Sequence, residues 1–596
     1  MAFTEIRRRA VGAMLEVKAL HPVLQRVYAA RGVSQSEELD LSLERLLPVG
    51  SLEGVEAAAR LLAEHRGAGR VLVVGDFDAD GATSSALVVR ALRSMKFAHV
   101  DFLVPNRFRF GYGLTPEIVA LAAQGKPSLI VTVDNGVSSI EGVDAARALG
   151  IAVLVTDHHL PGAVLPRADV MVNPNLAGAT FGSRALAGVG VAFYVMAALA
   201  RVLGDTEFRP ADLLDLVALG TVADVVALDH NNRVLVAQGL RRIRAGRCVP
   251  GIRALLEAAG RRIEQISAAD LGFAVAPRLN AAGRLTDMSI GIACLLADDV
   301  GVATRLAGEL SRLNEERREI EQRMQLEAVD IAAGMRVDAV GAEAVGLCLF
   351  DETWHQGVVG LVAGRIKDRL HRPVVAFARG EDGVLRGSAR SIAGVHIRDA
   401  LDSIATRHPG LLVKFGGHAM AAGMTLLESD LERFRGAFAA EIAARADAET
   451  LTGVVHSDGE LLDADLSVDT ARILRGGGPW GQGFPEPVFD GEFKVVDARI
   501  VGSRHLKLQL RPVQSGPAVP ADGAAGRHAS GRELKDGEAG SRAIDAIAFG
   551  YIGGAAEGVS MGPGKQVRVA YRLEVNEYRG VESVQLNCQH LVEIGR

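Results

Sequence analysis

The stretch from Val71 to Ser84, VLVVGDFDADGATS, decides the fold class of this 596-residue chain. Its four leading apolar residues predict a buried parallel strand, and Ser84–Leu92 predicts a helix after the turn. Between them, Asp76, Asp78 and Asp80 occupy alternate positions, so their carboxylates project to one face of an extended chain. Three crowded negative charges stay ionised only beside a positive partner. A divalent cation is one such partner, and an acidic surface turn is the plainer alternative.

The same design recurs after other apolar segments. The residues concerned are Asp134 after 129–133, Asp157, His158 and His159 after 153–156, and Asp224 within 219–226. Taken singly, Asp134 could cap a helix and His158 could be a hydrogen-bonded loop histidine. Together they place at least four Asp and two His at one edge of a parallel sheet, where such sheets bind ligands. That donor set suits two adjacent Mn²⁺ or Mg²⁺ ions, which activate water and stabilise both oxygens of a phosphoryl displacement.

The composition is that of an ordinary soluble globular protein, with 48% hydrophobic and 23% charged residues. A net charge of -6 argues against wholesale coating of duplex nucleic acid but leaves room for a local basic channel. The four cysteines are far apart and form no Cys-x-x-Cys pair, so we expect neither a zinc site nor disulfides, and a cytoplasmic location. We recognise no signal peptide and no transmembrane run.

The pattern along the chain predicts an α/β protein of several domains. Strands alternate with helices in the first domain, which predicts a parallel sheet with right-handed crossovers. Its expected strands are Val71–Val74, Val100–Val104, Leu129–Val133, Ala152–Val155 and Val170–Val172. The expected segments are a helical N-terminal segment at 1–50, this domain at 51–299, a connecting helix at 300–336, a second α/β domain at 337–445 and a β-barrel domain at 446–596. Within the last, residues 513–542 read as a mobile loop.

Further motifs follow the acidic ones in a specific order. They are PRLNAAGR at 277–284, WHQGVVG at 354–360, GSARS at 387–391, FGGHAMAAG at 415–423 and PWGQGFPEP at 479–487. With DFDADG, VDNG, TDHH and GTVAD, this order resembles the DHH phosphoesterase superfamily, and within it the RecJ family of single-stranded-DNA exonucleases. The resemblance covers about residues 50–512 and resumes near 545, and the segment 513–542 departs from it. It implies a DHH domain, a DHHA1 domain and a C-terminal OB-fold.

The resemblance also implies roles for particular residues. Two cations would be held by Asp76, Asp78, Asp80, Asp134, His158 and Asp224. His159 would lie beside the scissile phosphate as a stabiliser or proton donor. Phosphate would be bound by Arg107, Arg278, Asn280, Arg284, Ser388, Arg390, Gly416, Gly417 and His418. Of these, Arg107, Ser388 and Arg390 would receive a 5′-phosphate, since the planar fork of Arg binds phosphate oxygens in pairs. The plainer readings are solvated surface charges for the arginines and a turn for the Gly-Gly pair.

The implied activity is metal-dependent 5′→3′ hydrolysis of phosphodiester bonds in single-stranded DNA, releasing 5′-mononucleotides in recombination and in repair, including mismatch repair. A site between two domains admits a single strand but not a duplex, and an OB-fold groove would hold that strand. The resemblance further implies single-strand-binding protein and a RecQ-type helicase as partners, a monomeric enzyme and no membrane association.

Three alternatives remain at the level of sequence. A superfamily relative acting on short RNA, pyrophosphate or cyclic dinucleotides would generally lack the third, β-rich region. A non-catalytic strand-binding scaffold would have lost some of the ligands, and none is missing here. A dinucleotide-binding oxidoreductase would need Gly-x-Gly-x-x-Gly after the first strand, where this chain instead has Asp76 and Asp78, which would repel a pyrophosphate.

Overall fold

The computed structural model describes residues 4–15, 17, 20–106, 110, 113–334, 345–380, 383–502, 505–513, 542–551, 561–578 and 580–594. Arg107, the boundary expected at 336–337 and nearly all of the loop expected at 513–542 lie outside the described residues.

The N-terminal segment contains a strand as well as helices. Its elements are β1 (Thr4–Arg8) and α1 (Pro22–Ala29), and α2 (Val55–Glu64) leads into the first domain. The expectation of helices and loops alone was therefore wrong for β1. Its sequence, TEIRR, has no apolar alternation, and its parallel partner at 453–457 lies in the last third of the chain, so local pattern gave no sign of it.

The first domain is built on a five-stranded sheet. Its elements are β2 (Arg70–Gly75), α3 (Ala79–Ser94), β3 (His99–Leu103), α4 (Pro116–Ala123), β4 (Leu129–Val133), α5 (Ile140–Ala148), β5 (Ala152–Thr156) and β6 (Val170–Val172). The strands pair in parallel in the order β3-β2-β4-β5-β6, which confirms the predicted parallel sheet. Because all five run the same way, the residues after β2, β4 and β5 share one edge.

After β6 the domain continues with helices. They are α6 (Gly188–Leu203), α7 (Leu214–Ala223), α8 (His230–Arg244), α9 (Pro250–Ala258), α10 (Ala268–Asp270), α11 (Ala276–Leu285) and α12 (Ser289–Leu296), followed by α13 (Val300–Gly334). A π-helical turn, Leu271–Val275, joins α10 to α11. In α13, Leu306, Leu310, Leu313 and Met324 are buried, as its amphipathic pattern predicts. The helix packs on α9 and α11 in the first domain, and then reaches the second.

The second domain is a mixed sheet with helices. Its elements are β7 (Leu347–Phe350), α14 (Val359–Leu370), β8 (Val374–Arg379), β9 (Val384–Arg390), α15 (Ile397–Arg407), β10 (Lys414–Gly417), β11 (Ala421–Leu427) and α16 (Leu431–Arg445). The strand order is β10-β11-β9-β8-β7, and β7–β8 is its parallel pair. The turn between β10 and β11 carries His418 towards the first domain, where its ring approaches that of His159.

The C-terminal region forms the expected small barrel. Its elements are β12 (Gly453–Ser457), α17 (Val468–Gly476), β13 (Phe489–Val501), β14 (His505–Pro512), β15 (Ile544–Ala548), β16 (Gln566–Tyr578) and β17 (Val581–Glu593). The barrel closes in the order β13-β14-β15-β17-β16, and β12 pairs with β1 outside it. One continuous apolar core joins α1, the first domain and the barrel. The described part of the chain contains no helix that combines the length and hydrophobicity needed to span a bilayer.

Candidate active site

The acidic loop between β2 and α3 is held by the ends of two helices. Asp78 is the N-cap of α3, and its Oδ1 accepts a hydrogen bond from the backbone N–H of Gly81 at 3.0 Å. Asp80 reaches across to α6, where Gly188 N–H donates to its Oδ2 at 2.7 Å and Val189 N–H to its Oδ1 at 3.0 Å. Those are N-terminal amides of α6, which lack partners within the helix and favour a carboxylate. Two helix starts therefore orient the loop.

The neighbouring strands bring three more ligands to this loop. Asp134, directly after β4, has a backbone φ of 62°. This left-handed conformation is rare except in Gly, Asn and Asp. His158, after β5, places its Nε2 3.1 Å from Asp134 Oδ1 and 3.4 Å from Asp224 Oδ2. Asp224 comes from the end of α7. Residues from three separate elements thus meet at the carboxyl edge of the sheet.

Asp157 orients the histidine pair instead of joining the acidic cluster. Its Oδ1 accepts hydrogen bonds from the backbone N–H of His158 at 2.7 Å and from His159 Nδ1 at 2.7 Å. Its Oδ2 accepts the N–H of Val137 at 2.8 Å. Burial opposes the charge of His159, but the Asp157 carboxylate outweighs it and raises the pKa of His159 to about 9. His159 is therefore a cation at neutral pH.

Three overlapping groups of side chains could each hold a cation. They are Asp76–Asp78–Asp134, Asp80–His158–Asp224 and Asp134–His158–His159, and within each group the ligand atoms lie within 4.8 Å of one another. Asp134 and His158 are each shared by two groups, so the sites are adjacent. The buried Nε2 of His158 makes no protein hydrogen bond within the described residues. Oxygen and imidazole donors in this arrangement fit two Mn²⁺ or Mg²⁺ ions.

The electrostatics of the cluster also favour cations. Burial, and then the charge of Asp78, raises the pKa of Asp80 to about 7. Burial and the neighbouring carboxylates raise the pKa of Asp134 and of Asp224 well above the ordinary value. Burial, and then the charge of His159, lowers the pKa of His158 to about 4, so this imidazole is neutral and able to bind metal. Within the described residues, no Lys or Arg forms an ion pair with Asp78, Asp80 or Asp224.

The second domain approaches this cluster on the side of His159. The ring of His418 lies 6.0 Å from that of His159, with 24° between their planes. Arg284, at the end of α11, donates from Nη1 to the carbonyl of Gly357 at 3.1 Å and so joins the two domains. The interface between the domains is therefore next to the acidic cluster.

Ser388 and Arg390 form a small polar pocket beside the start of α14. Arg390 Nη1 donates to Ser388 Oγ at 2.9 Å. A Cβ at Gly360, in the first turn of α14, would lie 2.8 Å from both Arg390 Nη2 and Ser388 Oγ. The absence of a side chain there lets the start of α14 lie close to the guanidinium of Arg390 and the hydroxyl of Ser388.

Two of the expected phosphate ligands, Arg278 and Asn280, form hydrogen bonds with other groups of the chain. The guanidinium of Arg278 donates to Ser311 Oγ at 3.0 Å and to the carbonyls of Ala274 and Ala258 at 2.5 and 3.3 Å, so it ties α11 to its neighbours. Asn280 lies at the acidic loop, where its Oδ1 accepts the N–H of Ala79 at 2.8 Å. Both positions argue for a structural use of these side chains.

The Gly-Gly pair of β10 serves close packing at one of its two positions. At Gly417 the backbone has φ 141°, and a Cβ would lie 2.5 Å from the carbonyl oxygen of Ala421. Gly416 faces open space, where a ligand could approach its backbone. Arg107 lies outside the described residues.

Sequence reasoning missed two residues that shape the site. Asn135 is buried and its Nδ2 donates to the carbonyls of Val74 and Val133 at 3.1 and 2.9 Å, which ties the ends of β2 and β4 together next to Asp134. A Cβ at Gly188 would lie 2.6 Å from Asp134 Cβ. The Asn in VDNG and the Gly that opens an apolar helix were visible signals, but their partners are distant in sequence.

Comparison with protein-family models defines the class of protein. The model of the DHH family, N-terminal domain, matches residues 70–221, and that of the DHHA1 domain matches residues 340–444. The RecJ OB domain matches residues 457–521 and 523–590. The fold and the site are thus those of a DHH-family protein with DHHA1 and OB domains.

Individual relatives make the assignment more specific. The chain is 51% identical over 604 residues to the single-stranded-DNA-specific exonuclease RecJ of Dickeya dadantii, covering 99% of both chains. It is 49% identical over 596 residues to that of Escherichia coli, covering 98% of both. The crystal structure of RecJ from Thermus thermophilus in complex with Mn²⁺ matches with a TM-score of 0.77 at 30% identity, covering 99% of this chain and 80% of that one. The chain belongs to the RecJ family of single-stranded-DNA-specific exonucleases.

Proposed function

We propose that this protein is a metal-dependent exonuclease that hydrolyses phosphodiester bonds of single-stranded DNA from the 5′ end and releases 5′-mononucleotides. The proposal rests chiefly on the three overlapping groups of metal-ligating side chains at the sheet edge, two of which contain Asp134 and two of which contain His158. The relatives' names support the substrate, and the Mn²⁺ and Mg²⁺ complexes of the Thermus RecJ support the cofactor.

We assign the metal ligands to Asp76, Asp78, Asp80, Asp134, His158 and Asp224. When bound, two divalent ions would supply an activated water and charge stabilisation at the phosphate. The chain's own contribution is to hold six donors in place through β-strand ends and helix N-termini, and to keep the site between two domains, where a single strand can thread.

The remaining residues would position the substrate. The protonated His159, oriented by Asp157, would stabilise charge at the scissile phosphate or donate a proton to the leaving oxygen. Ser388 and Arg390, opposite Gly360, would bind the 5′-phosphate and so set the direction of attack. His418, Arg284, Gly416 and Gly417 would contact the strand near the domain interface, and we retain Arg107 as a candidate for the same pocket. We place Arg278 and Asn280 in supporting positions.

End-labelled substrates test both specificity and direction. With Mn²⁺, we expect a 5′ label to leave at once as a mononucleotide, whereas a 3′ label stays on a shortening strand. Blunt duplex and chelator-treated samples should stay intact. Early release of the 3′ label, or equal degradation of duplex, would contradict the proposal. Faster cleavage of dinucleotides than of long strands would instead favour the short-substrate branch of the superfamily.

We further propose that the enzyme acts as a monomer in the cytoplasm, beside single-strand-binding protein and a RecQ-type helicase, in recombination and repair. All four cysteines are free, which suits a reducing compartment. Sedimentation of the purified protein, alone and mixed with each partner, tests the monomer and the two associations.

A further inference from the structure

A column of two stacked aromatic rings with a guanidinium at each end lies where α1, α8 and the segment leading into the barrel (residues 476–488) meet. Trp480 and Phe484 stack with 5.2 Å between ring centroids and 12° between planes. The guanidinium of Arg31 lies 5.2 Å from the centroid of Trp480, and that of Arg233 lies 4.3 Å from the centroid of Phe484. Each end of the stack is therefore covered by a guanidinium, a favourable electrostatic contact.

The two ends of the column differ in how the cation is balanced. Arg31 is ion-paired with Asp458, at 2.8 and 3.1 Å, and also donates to the carbonyl of Pro485 at 2.7 Å. Arg233 is 5% exposed, yet its guanidinium makes no hydrogen bond or ion pair within the described residues, and its Nε is buried without a partner. A buried cation is normally paired, because its desolvation is otherwise uncompensated.

The nearest acidic groups do not fill this role. Glu38 and Asp229 act on Arg233 through space, but neither forms an ion pair with it. Glu38 Oε1 accepts the backbone N–H groups of Ser34 and Gln35 at 2.9 and 3.0 Å. Asp229 Oδ1 caps α8. Both carboxylates accept hydrogen bonds from backbone amides and none from Arg233, so the N–H donors of Arg233 remain available within the described residues.

Arg233 lines a cavity of about 180 Å³ together with a second unpaired cation. Arg241, two turns further along α8, also lines it and makes no ion pair within the described residues. The rest of the wall consists of Tyr28, Leu39, Leu41, Phe484 and residues 476–479. Sites for drug-sized molecules begin at about 300 Å³. The cavity is therefore smaller than such a site, and its volume suits one tetrahedral anion with water.

We propose that this junction binds a phosphate group between Arg233 and Arg241. Two guanidiniums without carboxylate partners favour a phosphate group, whose several oxygens can accept from both, over a carboxylate. The site shares no residue with the metal cluster or the Ser388–Arg390 pocket, so it is additional to the proposed catalytic function. The phosphate has two possible sources: a free phosphate ion, or the backbone of the strand that the barrel holds.

Occupancy of the site should tighten the barrel's attachment to the catalytic domain. The segment leading into the barrel docks on the turn between α7 and α8, where Leu228 N–H donates to the carbonyl of Gln482 at 2.7 Å. The same turn begins at Asp224, a proposed metal ligand. An anion held by Arg233 and Arg241 would fix α8 beside the segment that makes this contact.

Thermal unfolding of the metal-free, full-length protein tests the site. Phosphate, compared with chloride at equal ionic strength, should raise Tm in the wild type and also in Arg390→Gln, which removes the other phosphate pocket. Arg233→Met, which keeps stacking volume but not charge, should lose the shift. Arg241→Gln changes an exposed side chain and should fold normally, with phosphate binding weakened at least about tenfold. An unchanged shift in Arg241→Gln, or an equal shift with acetate, overturns the proposal.

A second measurement identifies the source of the phosphate. Binding of a fluorescent single-stranded oligonucleotide is followed in chelator at several salt concentrations. If the strand supplies the phosphate, Arg241→Gln weakens DNA binding and reduces the salt slope by about 0.7. If free phosphate is the ligand, DNA binding is unchanged while the phosphate-dependent Tm shift is still lost. A variant that alters neither DNA binding nor the Tm shift shows that the cavity binds no phosphate.

Discussion

Two regions of the molecule bury carboxylates in opposite ways. Beside the barrel, Asp458 is ion-paired with Arg31 at 2.8 Å and Asp490 with Arg8 at 3.0 Å, and both carboxylates are 1% exposed. At the sheet edge, Asp80 is equally buried, but its described partners are backbone amides. A buried charge balanced within the chain is costly to unpair, whereas a buried charge left without a cation marks a place where a cation binds.

The pKa values of the two kinds of carboxyl diverge accordingly. Burial raises the pKa in both. At Asp490 the hydrogen bonds from Arg8 and Ser457 prevail and lower the pKa below its ordinary value. At Asp80 the charge of Asp78 adds to burial and raises the pKa to about 7. Burial is therefore common to both regions, and the neighbouring charge decides which is structural and which is functional.

The largest expected effect is the loss of catalysis in Asp80→Asn. The variant keeps the size of the side chain but removes a charge from the cation site. Charge stabilisation by a bound ion contributes several kcal/mol, so kcat should fall roughly a thousandfold. The metal-free variant should unfold at the same temperature as the wild type or higher, because one of several repelling carboxylates is gone. Single-turnover cleavage and calorimetry measure the two quantities.

Asp490→Asn is the matched control, since it makes the same chemical change in an equally buried residue. It should lose stability and keep its cleavage rate per folded molecule. If both variants lost activity and stability together, the division between structural and functional carboxylates would be wrong.

The next largest effect is the loss of stability in Asp458→Asn. Arg31 and Asp458 are each 1% exposed, and removing one partner of a fully buried ion pair typically costs about 3–5 kcal/mol. Urea unfolding should show this decrease with an unchanged kcat at 25 °C. A loss below about 1 kcal/mol would mean that Arg31 finds another acceptor. Arg45→Gln, which removes an exposed pair with Asp40, should cost less than about 1 kcal/mol.

Some contacts of the site and fold could be predicted from the sequence, and others could not. The acidic side of the site follows from local pattern, because Asp residues directly after buried strands must share an edge once the sheet is parallel. The pairing of Asp458 with Arg31, and of β1 with β12, had no local sign, because each joins residues more than 400 positions apart. Local periodicity carries no information about such contacts.

The residues expected to bind phosphate illustrate a related difficulty. Motif resemblance gives Arg278 and Asn280 the same expected role as Arg284. Their spacing on α11 then points them to different neighbours: Arg278 contacts Ser311, Asn280 caps the acidic loop, and Arg284 reaches Gly357. Residues two positions apart face opposite sides of a helix, so Arg278 points away from Asn280. Asn280 and Arg284 are four apart and share a face, but they lie one turn apart along it and so reach different neighbours.

Asn280 provides a smaller test of the same distinction. Its Oδ1 accepts the N–H of Ala79, and a Cβ at Gly283 would lie 1.8 Å from the carbonyl of Phe77, so α11 supports the acidic loop directly. Asn280→Ala should weaken Mn²⁺ binding by about 10–100-fold, as loss of a side chain that supports ligands typically does. Calorimetric titration measures this, and DNA affinity in chelator should be unchanged. Weaker DNA binding with normal Mn²⁺ affinity would return Asn280 to the phosphate side.

The smallest expected effect is a pH dependence of the metal-free protein. The pKa of Asp80 in the folded state, about 7, lies above its ordinary value, so the folded protein binds this proton more tightly than the unfolded chain. The stability that the protonated Asp80 contributes is therefore complete below about pH 4. That contribution is lost as pH rises through 7, with a slope of at most about 1.4 kcal/mol per pH unit. We subtract the unfolding free energy of Asp80→Asn from that of the wild type. This difference should decrease from pH 5 to 7 and then level off.

Saturating Mn²⁺ should reverse the sign of this slope, because the cation binds the ionised carboxylate and competes with the proton. A difference that stays constant with pH in chelator would mean that Asp80 is already ionised, and that a cation from the chain itself balances it.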